Sequence, residues 1–353
     1  MERALFWADR GRGLTSPNPT VGAVVVSADG VVVGQGAHMA AGGPHAEVVA
    51  LDAAGPRARA GTLYCTLEPC SHTGRTGPCV ERVVAAGIRR VVAAVSDPNP
   101  AVSGRGFAHL RTHGIEVVEG EGREHALRQH APFFTWITRR RPLVVAKAAV
   151  SADGFVGSDT RGGVRLTGPV ADRYFHRQRA EVDAIAVGSG TVVVDDPLLT
   201  PRGAFRTRPL TRVVFDWRGR VPASARLFST LSSGPVIMVV SDWTRERNEA
   251  HFAELERIGV VIEAFESRDL GAVLERLGQR PILSLLVEGG PALQTALADA
   301  GLVDRVQRIE TPLVLGSGVP VAPMFGGTPG ASAPRTRRLG ADRLIEFDVH
   351  RTD

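Results

Sequence analysis

The sequence predicts an α/β protein of two domains. The chain has 353 residues, which is more than one typical domain of roughly 100–200 residues and suits two. A hydrophobic fraction of 43% with 22% charged residues is ordinary for a globular protein and excludes a disordered chain. Apolar strand-like segments alternate with helical segments in two series, as in folds with covered sheet faces. Arg139-Arg140-Arg141-Pro142 interrupts the alternation, so we expect one domain at residues 1–141 and another at 142–353.

In the first domain, strands and helices alternate after a helix expected over residues 1–16. The turn Ala28-Asp29-Gly30 predicts a hairpin, because glycine tolerates positive φ. Pro44 suits the first turn of the helix that follows the hairpin. The expected strands are 21–27, 31–36, 61–66, 90–95 and 115–119, and the expected later helices are 44–54, 78–86 and 106–112.

A second series of elements follows Pro142 and begins with an apolar strand. The expected strands are 143–150, 184–188, 212–216, 235–240, 260–264 and 284–288, with helices between several of them, such as 170–181 and 291–300. Residues 326–338 are expected to be a loose stretch of low complexity. The sequence contains no internal repeat.

The distribution of charge argues against a nucleic-acid partner. The formal net charge is +5, but residues 139–141 alone supply three of these charges. A nucleic-acid-binding protein usually has a basic face or stripe instead. All of the 42 basic residues except Lys147 are arginine.

The N-terminal residues and the cysteines indicate a cytoplasmic protein. The N-terminus lacks the uninterrupted apolar core of a signal peptide, and no apolar run approaches the ~20 residues of a membrane span. Three cysteines are an odd number, which favours metal binding or burial over disulfides. We therefore expect no membrane partner, and a homo-oligomer is compatible with the sequence.

Three residues of the first domain have the ligand types of a catalytic zinc site. They are His45, Cys70 and Cys79, and a catalytic zinc takes three protein ligands and keeps a fourth position for water. His45 and Cys79 lie at predicted helix starts, where the helix dipole stabilises a thiolate. Glu47 is two residues from His45 and therefore on another face of the helix, from which it can move a proton without becoming a ligand. This pattern is typical of zinc deaminases, which attack an amidine-like ring carbon with activated water.

Cys70 and Cys79 are also compatible with two roles that involve no catalysis. They could form a short disulfide, which a cytoplasmic location disfavours. They could also hold a structural zinc, which would need a fourth ligand, for which His72 is the nearest candidate. Cys65 lies inside a predicted strand and is expected to be a buried apolar residue rather than a ligand.

Four motifs occur in an order that is specific to one enzyme family. They are Ser16-Pro17-Asn18-Pro19-Thr20-Val21-Gly22, Pro44-His45-Ala46-Glu47-Val48, Thr66-Leu67-Glu68-Pro69-Cys70-Ser71-His72 and Asp97-Pro98-Asn99-Pro100. Almost the whole chain resembles the bifunctional riboflavin-biosynthesis enzymes, in which a pyrimidine deaminase is fused to a 5-amino-6-(5-phosphoribosylamino)uracil reductase. The resemblance implies a cytidine-deaminase-like α/β/α sandwich followed by a dihydrofolate-reductase-like α/β domain, with Zn²⁺ and NADPH as cofactors.

The resemblance also implies roles for residues of the first domain. His45, Cys70 and Cys79 would hold zinc, and Glu47 would be the catalytic proton shuttle. The residues that would bind the pyrimidine, ribose or phosphate of a small phosphoribosylated substrate are Asn18, His38, Arg75, Asp97 and Asn99. Asn18 and Asn99 could equally be plain turn residues, because Pro-Asn-Pro segments form turns.

Two glycine-rich turns follow predicted strands in the second domain. They are Gly188-Ser189-Gly190-Thr191 and Glu288-Gly289-Gly290-Pro291. Glycines before a helix let backbone N–H groups approach a pyrophosphate, although such turns are also common without a ligand. Neither turn matches GxGxxG, which counts against a Rossmann fold.

The resemblance assigns further roles to the second domain. The residues that would contact NADPH are Ala149, Thr191, Asp195, Gly289, Gly290 and Pro291. The residues that would contact the substrate are Lys147, Arg179, Leu199, Arg202 and Glu288. The two arginines would face the substrate phosphate, which a guanidinium binds through paired hydrogen bonds.

Three positions of the second domain depart from the family pattern. Gly163 lacks the hydroxyl of an expected serine, and Arg165 replaces an aromatic residue expected near the cofactor, where it could pair with a cofactor phosphate instead. Trp217 stands where a small cofactor-contacting residue is often found.

The leading hypothesis is a two-step enzyme of riboflavin biosynthesis. It would deaminate 2,5-diamino-6-(5-phosphoribosylamino)pyrimidin-4-one hydrolytically and then reduce the ribosyl group to ribityl with NADPH. One alternative is an active deaminase with an impaired reductase. More remote alternatives are a nucleic-acid-editing deaminase, which the sparse aromatic residues (5%) disfavour, and a binding module with a structural zinc.

Overall fold

The structure is a computed structural model that describes residues 1–71, 77–100, 102–157, 164–327 and 330–349. The chain divides into two compact units of α/β type, Met1–Arg140 and Arg141–Asp353, which confirms the predicted two-domain α/β architecture. The division falls one residue before the boundary expected from the sequence. Arg141 belongs to the second unit because its guanidinium forms a buried ion pair with Asp304 there, at 2.6 and 2.8 Å. No helix among the described residues has both the length and the apolar character needed to cross a membrane.

The first unit contains a mixed sheet. Its helices are α1 (Glu2–Asp9), α2 (Ala46–Ala54), α3 (Cys79–Ala85), α4 (Arg105–Thr112) and α5 (Arg123–Arg139), and a short 3₁₀ turn (Gly55–Ala58) follows α2. Its strands are β1 (Gly22–Val26), β2 (Val32–Ala37), β3 (Thr62–Cys65), β4 (Arg90–Ala93) and β5 (Glu116–Glu119). Across the described residues these strands form one sheet in the order β2-β1-β3-β4-β5. β1 is antiparallel to β2 and β3, whereas β3, β4 and β5 are parallel.

Helices α1 and α2 cover opposite faces of this sheet. A Cβ atom on Gly22 would lie 2.0 Å from the carbonyl oxygen of Ala4 in α1, and one on Gly36 would lie 2.4 Å from Val49 in α2. Gly36 is paired with Ala23, and neighbouring residues of a strand point to opposite faces, so Gly22 and Gly36 face opposite sides. The first unit is therefore an α/β/α sandwich, and glycine lets both helices approach the strands closely.

The second unit contains a larger sheet. Its helices are α6 (Pro169–Glu181), α7 (Ser189–Asp195), α8 (Asp242–Arg247), α9 (Glu249–Arg257), α10 (Leu270–Gly278) and α11 (Pro291–Asp299), with 3₁₀ turns at Arg226–Ser233 and Pro323–Gly326. Its strands are β6 (Leu143–Val150), β7 (Phe155–Gly157), β8 (Ala184–Gly188), β9 (Thr211–Phe215), β10 (Val236–Ser241), β11 (Val261–Phe265), β12 (Ser284–Gly289), β13 (Arg305–Glu310), β14 (Val319–Pro320), β15 (Arg335–Leu339) and β16 (Asp342–Asp348). The sheet order is β11-β10-β9-β8-β12-β6-β13-β16-β15, and β7 pairs with β14 separately.

The strand order brings distant parts of the sequence to one edge of this sheet. β12 lies between β8 and β6 and is parallel to both, so the carboxyl ends of these strands meet at the same edge. Lys147 of β6, Gly188 of β8 and Glu288 of β12 lie toward that edge. Open parallel sheets bind their ligands outside the carboxyl ends of the strands, where the strand order changes direction.

Some elements differ from the sequence-based expectations. α1 ends at Asp9 rather than at residue 16, and Gly13 in the following turn has a φ of 73°, which is outside the helical region. The sequence does not predict α5, because Pro132 lies in its interior and proline removes a helical hydrogen bond. Burial of its inner face, which includes His130 and Phe133, offsets that cost. The stretch expected to be loose, 326–338, contains the start of β15, which is stabilised by pairing with β16.

Candidate active sites

One imidazole and two thiols meet in the first unit. The Nδ1 atom of His45 lies 3.1 Å from the Sγ of Cys79 and 3.5 Å from the Sγ of Cys70, and all three ligand atoms lie within 4.8 Å of one another. A tetrahedral zinc with its usual bond lengths separates a nitrogen and a sulfur ligand by roughly 3.5 Å. The three residues therefore fit one zinc ion. No second group of three or more such ligands occurs in the part of the chain that the structure describes.

Two of the three candidate ligands lie at helix starts, as the sequence predicts, and the third, Cys70, lies in a loop. His45 is the N-cap of α2, and Cys79 is the first residue of α3. The backbone N–H of Cys79 donates to the Sγ of Cys70 at 3.4 Å. The side-chain hydrogen bond with Cys79 lowers the pKa of Cys70 well below its ordinary value, which favours the thiolate form of this sulfur. A thiolate is the form of cysteine that binds zinc.

Glu47 lies in the first turn of α2 and is only 3% exposed. Burial raises the pKa of this carboxyl group to about 7, and the neighbouring Cys70 thiolate acts in the same direction. A carboxyl group with this pKa can both hold and release a proton near neutral pH, which general acid–base catalysis requires.

Two predicted pyrimidine-binding residues, Asn18 and His38, lie beside the metal cluster. The ring of His38 stands edge-on to that of His45, with 5.4 Å between the ring centres. The Nδ1 of His38 is 3.0 Å from the carbonyl oxygen of Pro44, and its Nε2 is 3.0 Å from the Nδ2 of Asn18. A neutral ring that donates from Nδ1 and accepts at Nε2 satisfies both contacts. Burial lowers the pKa of His38, which favours this neutral form.

Two further predicted pyrimidine contacts, Asp97 and Asn99, follow strand β4, whereas Arg75 lies outside the described residues. The backbone N–H of Asn99 donates to Asp97 Oδ1 at 2.8 Å, which forms a tight turn. The backbone N–H of Asp97 donates to Glu68 Oε2 at 3.2 Å. Sequence reasoning gives Glu68 no role of its own. The only sign of a role in the sequence is its position two residues before Cys70, a candidate metal ligand.

Lys147, Arg179 and Glu288 form a charged cluster in the second unit. Arg179 donates two hydrogen bonds to the Glu288 carboxylate, at 2.7 and 2.6 Å. The Nζ of Lys147 lies 4.0 Å from Glu288 Oε2 and 4.7 Å from the ring centre of Phe175. Burial opposes the charge on Glu288, but Arg179 and Lys147 hold the pKa of this carboxyl group at about 2. Glu288 is therefore a carboxylate that is fixed in orientation.

The two glycine-rich turns meet next to this cluster. A Cβ atom on Gly289 would lie 2.9 Å from the Oγ1 of Thr191, and Gly290 has a φ of 83°, which other residues rarely adopt. Pro291 then opens α11. Glycine therefore lets the two turns pack closely into a backbone cradle at the start of α11, and backbone N–H groups at a helix start are of the kind that binds dinucleotide phosphates.

The remaining predicted contacts of the second unit lie on a strand, a helix and a loop. Ala149 is two residues after Lys147 in β6 and so points to the same face of the sheet. Asp195 is the last residue of α7. Leu199 is buried with a φ of 54°, whereas Arg202 is exposed.

Two of the three departures from the family pattern have partners within the chain. Arg165 forms an ion pair with Asp172. Trp217 packs near Phe215 and Phe265, with ring centres 6.4 and 6.5 Å apart. Gly163 lies outside the described residues.

Two protein families match the chain. The family described as the cytidine and deoxycytidylate deaminase zinc-binding region matches residues 1–95, and the RibD C-terminal domain matches residues 142–342. The riboflavin biosynthesis protein RibD of Aquifex aeolicus is 40% identical over 351 residues, covering 98% of this chain and 97% of the relative. RibD of Escherichia coli is 39% identical over 323 residues, covering 90% of this chain and 88% of the relative.

Solved structures match over nearly the same extent. A diaminohydroxyphosphoribosylaminopyrimidine deaminase/5-amino-6-(5-phosphoribosylamino)uracil reductase from Thermotoga maritima has a TM-score of 0.86 at 33% identity, covering 99% of this chain and 97% of that one. RibD of Acinetobacter baumannii has a TM-score of 0.83 at 32% identity, covering 98% and 97%. These matches confirm the expected order of a deaminase-like domain followed by a reductase domain.

Proposed function

Since the chain belongs to the RibD family of riboflavin-biosynthesis proteins, we propose that residues 1–141 carry its deaminase activity and residues 142–353 its reductase activity. The protein is a bifunctional enzyme with zinc and NADPH as cofactors. The proposed first substrate is 2,5-diamino-6-(5-phosphoribosylamino)pyrimidin-4-one, which loses its 2-amino group as ammonia. The ribosyl group of the product is then reduced to ribityl. A cytoplasmic location suits the thiolate ligands, which must stay reduced.

The observation that best supports the deaminase is the cluster of His45, Cys70 and Cys79 beside the buried Glu47. Zinc bound by these residues would act as a Lewis acid that activates water. Glu47 takes the proton that the attacking water loses and returns it to the amino group that leaves as ammonia. A pKa of about 7 suits both halves of this transfer.

The pyrimidine would be held beside the metal ligands, where the ring of His38 stands next to that of His45. The contact with Pro44 fixes the ring of His38, and His38 in turn orients the amide of Asn18. We assign Asn18 and His38, together with Asp97 and Asn99, to the pyrimidine and ribose. Arg75 is assigned to the phosphate on the strength of the family resemblance.

In the second unit, Glu288 and Lys147 would hold the ribosyl group. The Glu288 carboxylate is charged and oriented, so it can accept hydrogen bonds from the ribose hydroxyl groups. Lys147 lies beside it and can donate one. Arg179 is already bound to Glu288 and to the carbonyl oxygen of Thr200, so the exposed Arg202 is better placed for the substrate phosphate.

NADPH would bind along the carboxyl ends of β6, β8 and β12 and supply the hydride. We assign Gly289, Gly290 and Pro291 to its phosphates, since they lie at the start of α11, where the N–H groups and dipole of a helix favour an anion. The further proposed contacts are Ala149, Thr191 and Asp195. The charged cluster and this cradle support a working reductase over the alternative of an impaired one.

The Glu47→Ala substitution tests the deaminase mechanism. We expect the variant to release no measurable ammonia from the diaminopyrimidine phosphate while it keeps its zinc. Asp52→Ala is the matched control, because Asp52 is an exposed carboxylate on the same helix, and we expect wild-type turnover from it. Loss of zinc from the Glu47→Ala protein would contradict the role of a proton shuttle. Absence of ammonia release by the wild type would contradict the proposed substrate.

A further inference from the structure

We infer that Glu68 is a positioning residue of the deaminase, whose carboxylate fixes the pyrimidine-binding loop relative to the metal ligand Cys70. The inference rests on the proposed function, in which Asp97 and Asn99 bind the pyrimidine. Glu68 is 3% exposed and lies two residues before Cys70. Within the described part of the chain, no basic side chain forms an ion pair with it. A buried carboxylate without a cation is costly unless hydrogen bonds compensate for its lost hydration.

Four backbone N–H groups of one segment supply that compensation. Oε2 of Glu68 accepts from Asp97 at 3.2 Å and from Gly104 at 3.0 Å. Oε1 accepts from Gly106 at 2.9 Å and from Phe107 at 3.3 Å. Both oxygens are thus used by backbone donors, at Asp97 and at the start of α4.

Three of these donors, Gly104, Gly106 and Phe107, are groups that a helix start leaves without internal partners. α4 begins at Arg105, and its N-cap, Gly104, has a φ of 73° and makes no side-chain capping bond. The first N–H groups of a helix need an acceptor from outside, and a negative charge is favourable at this end of the helix dipole. Glu68 fills this role from the loop that follows β3.

Backbone packing brings the same two segments into contact. A Cβ atom on Gly106 would lie 2.2 Å from the carbonyl oxygen of Pro69, so only glycine allows α4 to approach this closely. The backbone N–H of Glu68 also donates to the carbonyl oxygen of Val95 at 2.9 Å, two residues before Asp97. The loop that carries Cys70 and the loop that carries Asp97 are therefore tied together by the main chain and the side chain of Glu68.

The Glu68→Gln substitution tests this inference at nearly constant volume. The amide replaces one acceptor oxygen with an NH₂ group that faces backbone N–H donors, so the Asp97 loop loses part of its anchor. We expect KM for the diaminopyrimidine phosphate to rise about tenfold, as for a weakened hydrogen bond to the substrate. The kcat for ammonia release, the zinc content and the NADPH-dependent activity should stay close to wild type.

Two companion variants separate positioning from general stability. Glu124→Gln removes an exposed carboxylate of α5 that pairs with Arg128 of the same helix, and it should leave KM unchanged. Gly106→Ala pushes α4 away from Pro69 and should raise KM as Glu68→Gln does, through different chemistry. A lower melting temperature with an unchanged KM would overturn the inference. The inference would also be overturned if the Glu68→Gln protein loses zinc while the molecules that keep zinc have an unchanged KM.

Amide hydrogen exchange gives a readout that does not depend on catalysis. The amides of Gly104, Gly106 and Phe107 should lose protection in the Glu68→Gln protein and keep it in the Glu124→Gln protein. Unchanged protection would overturn the inference, whereas a wild type that releases no ammonia would overturn only the proposed function. If Glu68→Gln does not fold, KM and amide hydrogen exchange are both measured on the Gly106→Ala protein instead.

Discussion

Replacing Arg179 by methionine removes the main partner of a buried carboxylate. The Glu288 side chain is 7% exposed and accepts two hydrogen bonds from Arg179, whereas Lys147 is 4.0 Å away. Burial alone would raise the pKa of Glu288, yet its neighbours lower it from 4.5 to about 2. At about 1.4 kcal/mol per pKa unit, this lowering is worth roughly 3 kcal/mol. Lys147 supplies part of it, so we expect Arg179→Met to lower the free energy of unfolding of the second unit by about 2 kcal/mol at pH 7.

Pulse proteolysis in urea, with the surviving fragments identified by mass, measures the stability of the second unit separately. Arg177→Met is the matched control, because Arg177 is exposed on the same helix, and it should cost less than about 0.5 kcal/mol. Adding Glu288→Gln to Arg179→Met should restore part of the stability, since the unpaired buried charge is then gone. Equal stability of the Arg179→Met and Arg177→Met proteins would refute this reasoning, as would a double variant no more stable than Arg179→Met alone.

Three further predictions concern acid, zinc and the single lysine. The pKa of Glu288 is lower in the folded protein than its ordinary value of 4.5, so its stabilisation is present above that value and is lost as the pH falls toward 2. As the pH falls from 4.5 to about 2, the free energy of unfolding measured by urea titration should therefore drop less for Glu288→Gln than for the wild type. Parallel plots of this free energy against pH for the two proteins would contradict the prediction. Cys70→Ala should lose zinc and ammonia release but keep NADPH oxidation on the deaminated substrate, and retained zinc measured by atomic absorption would contradict its role as a ligand. Lys147→Arg places a larger, planar cation beside Phe175 and should reduce reductase turnover about tenfold, whereas unchanged turnover would show that the lysine has no special role.

Local signals explain why much of the architecture is predictable. The strands of the first unit are predicted to within about one or two residues at each end, because short apolar runs end at glycine and proline. Two of the proposed zinc ligands are predictable for a similar reason, since His45 and Cys79 combine the right residue type with a helix start. Helix α5 is not predictable in this way, because its stability comes from the packing of its inner face and not from a sequence that contains Pro132.

Contacts between distant segments explain what the sequence does not reveal. Glu68 binds N–H groups that lie up to 39 residues further along the chain, and no local pattern indicates which helix start it caps. Arg179 and Glu288 are 109 residues apart, so the family resemblance predicts both as substrate contacts without indicating that they bind each other. The order of the strands, with β12 between β6 and β8, creates that contact.

The central claim is that one chain performs both the deamination and the reduction. The most direct test is to incubate the purified protein with the diaminopyrimidine phosphate, with and without NADPH, and to determine the product masses. Without NADPH we predict only the deaminated uracil, together with an equal amount of ammonia. With NADPH we predict a product heavier by two hydrogen atoms and the oxidation of one NADPH per molecule. Recovery of the starting compound, or a deaminated product that NADPH leaves unchanged, would contradict the claim.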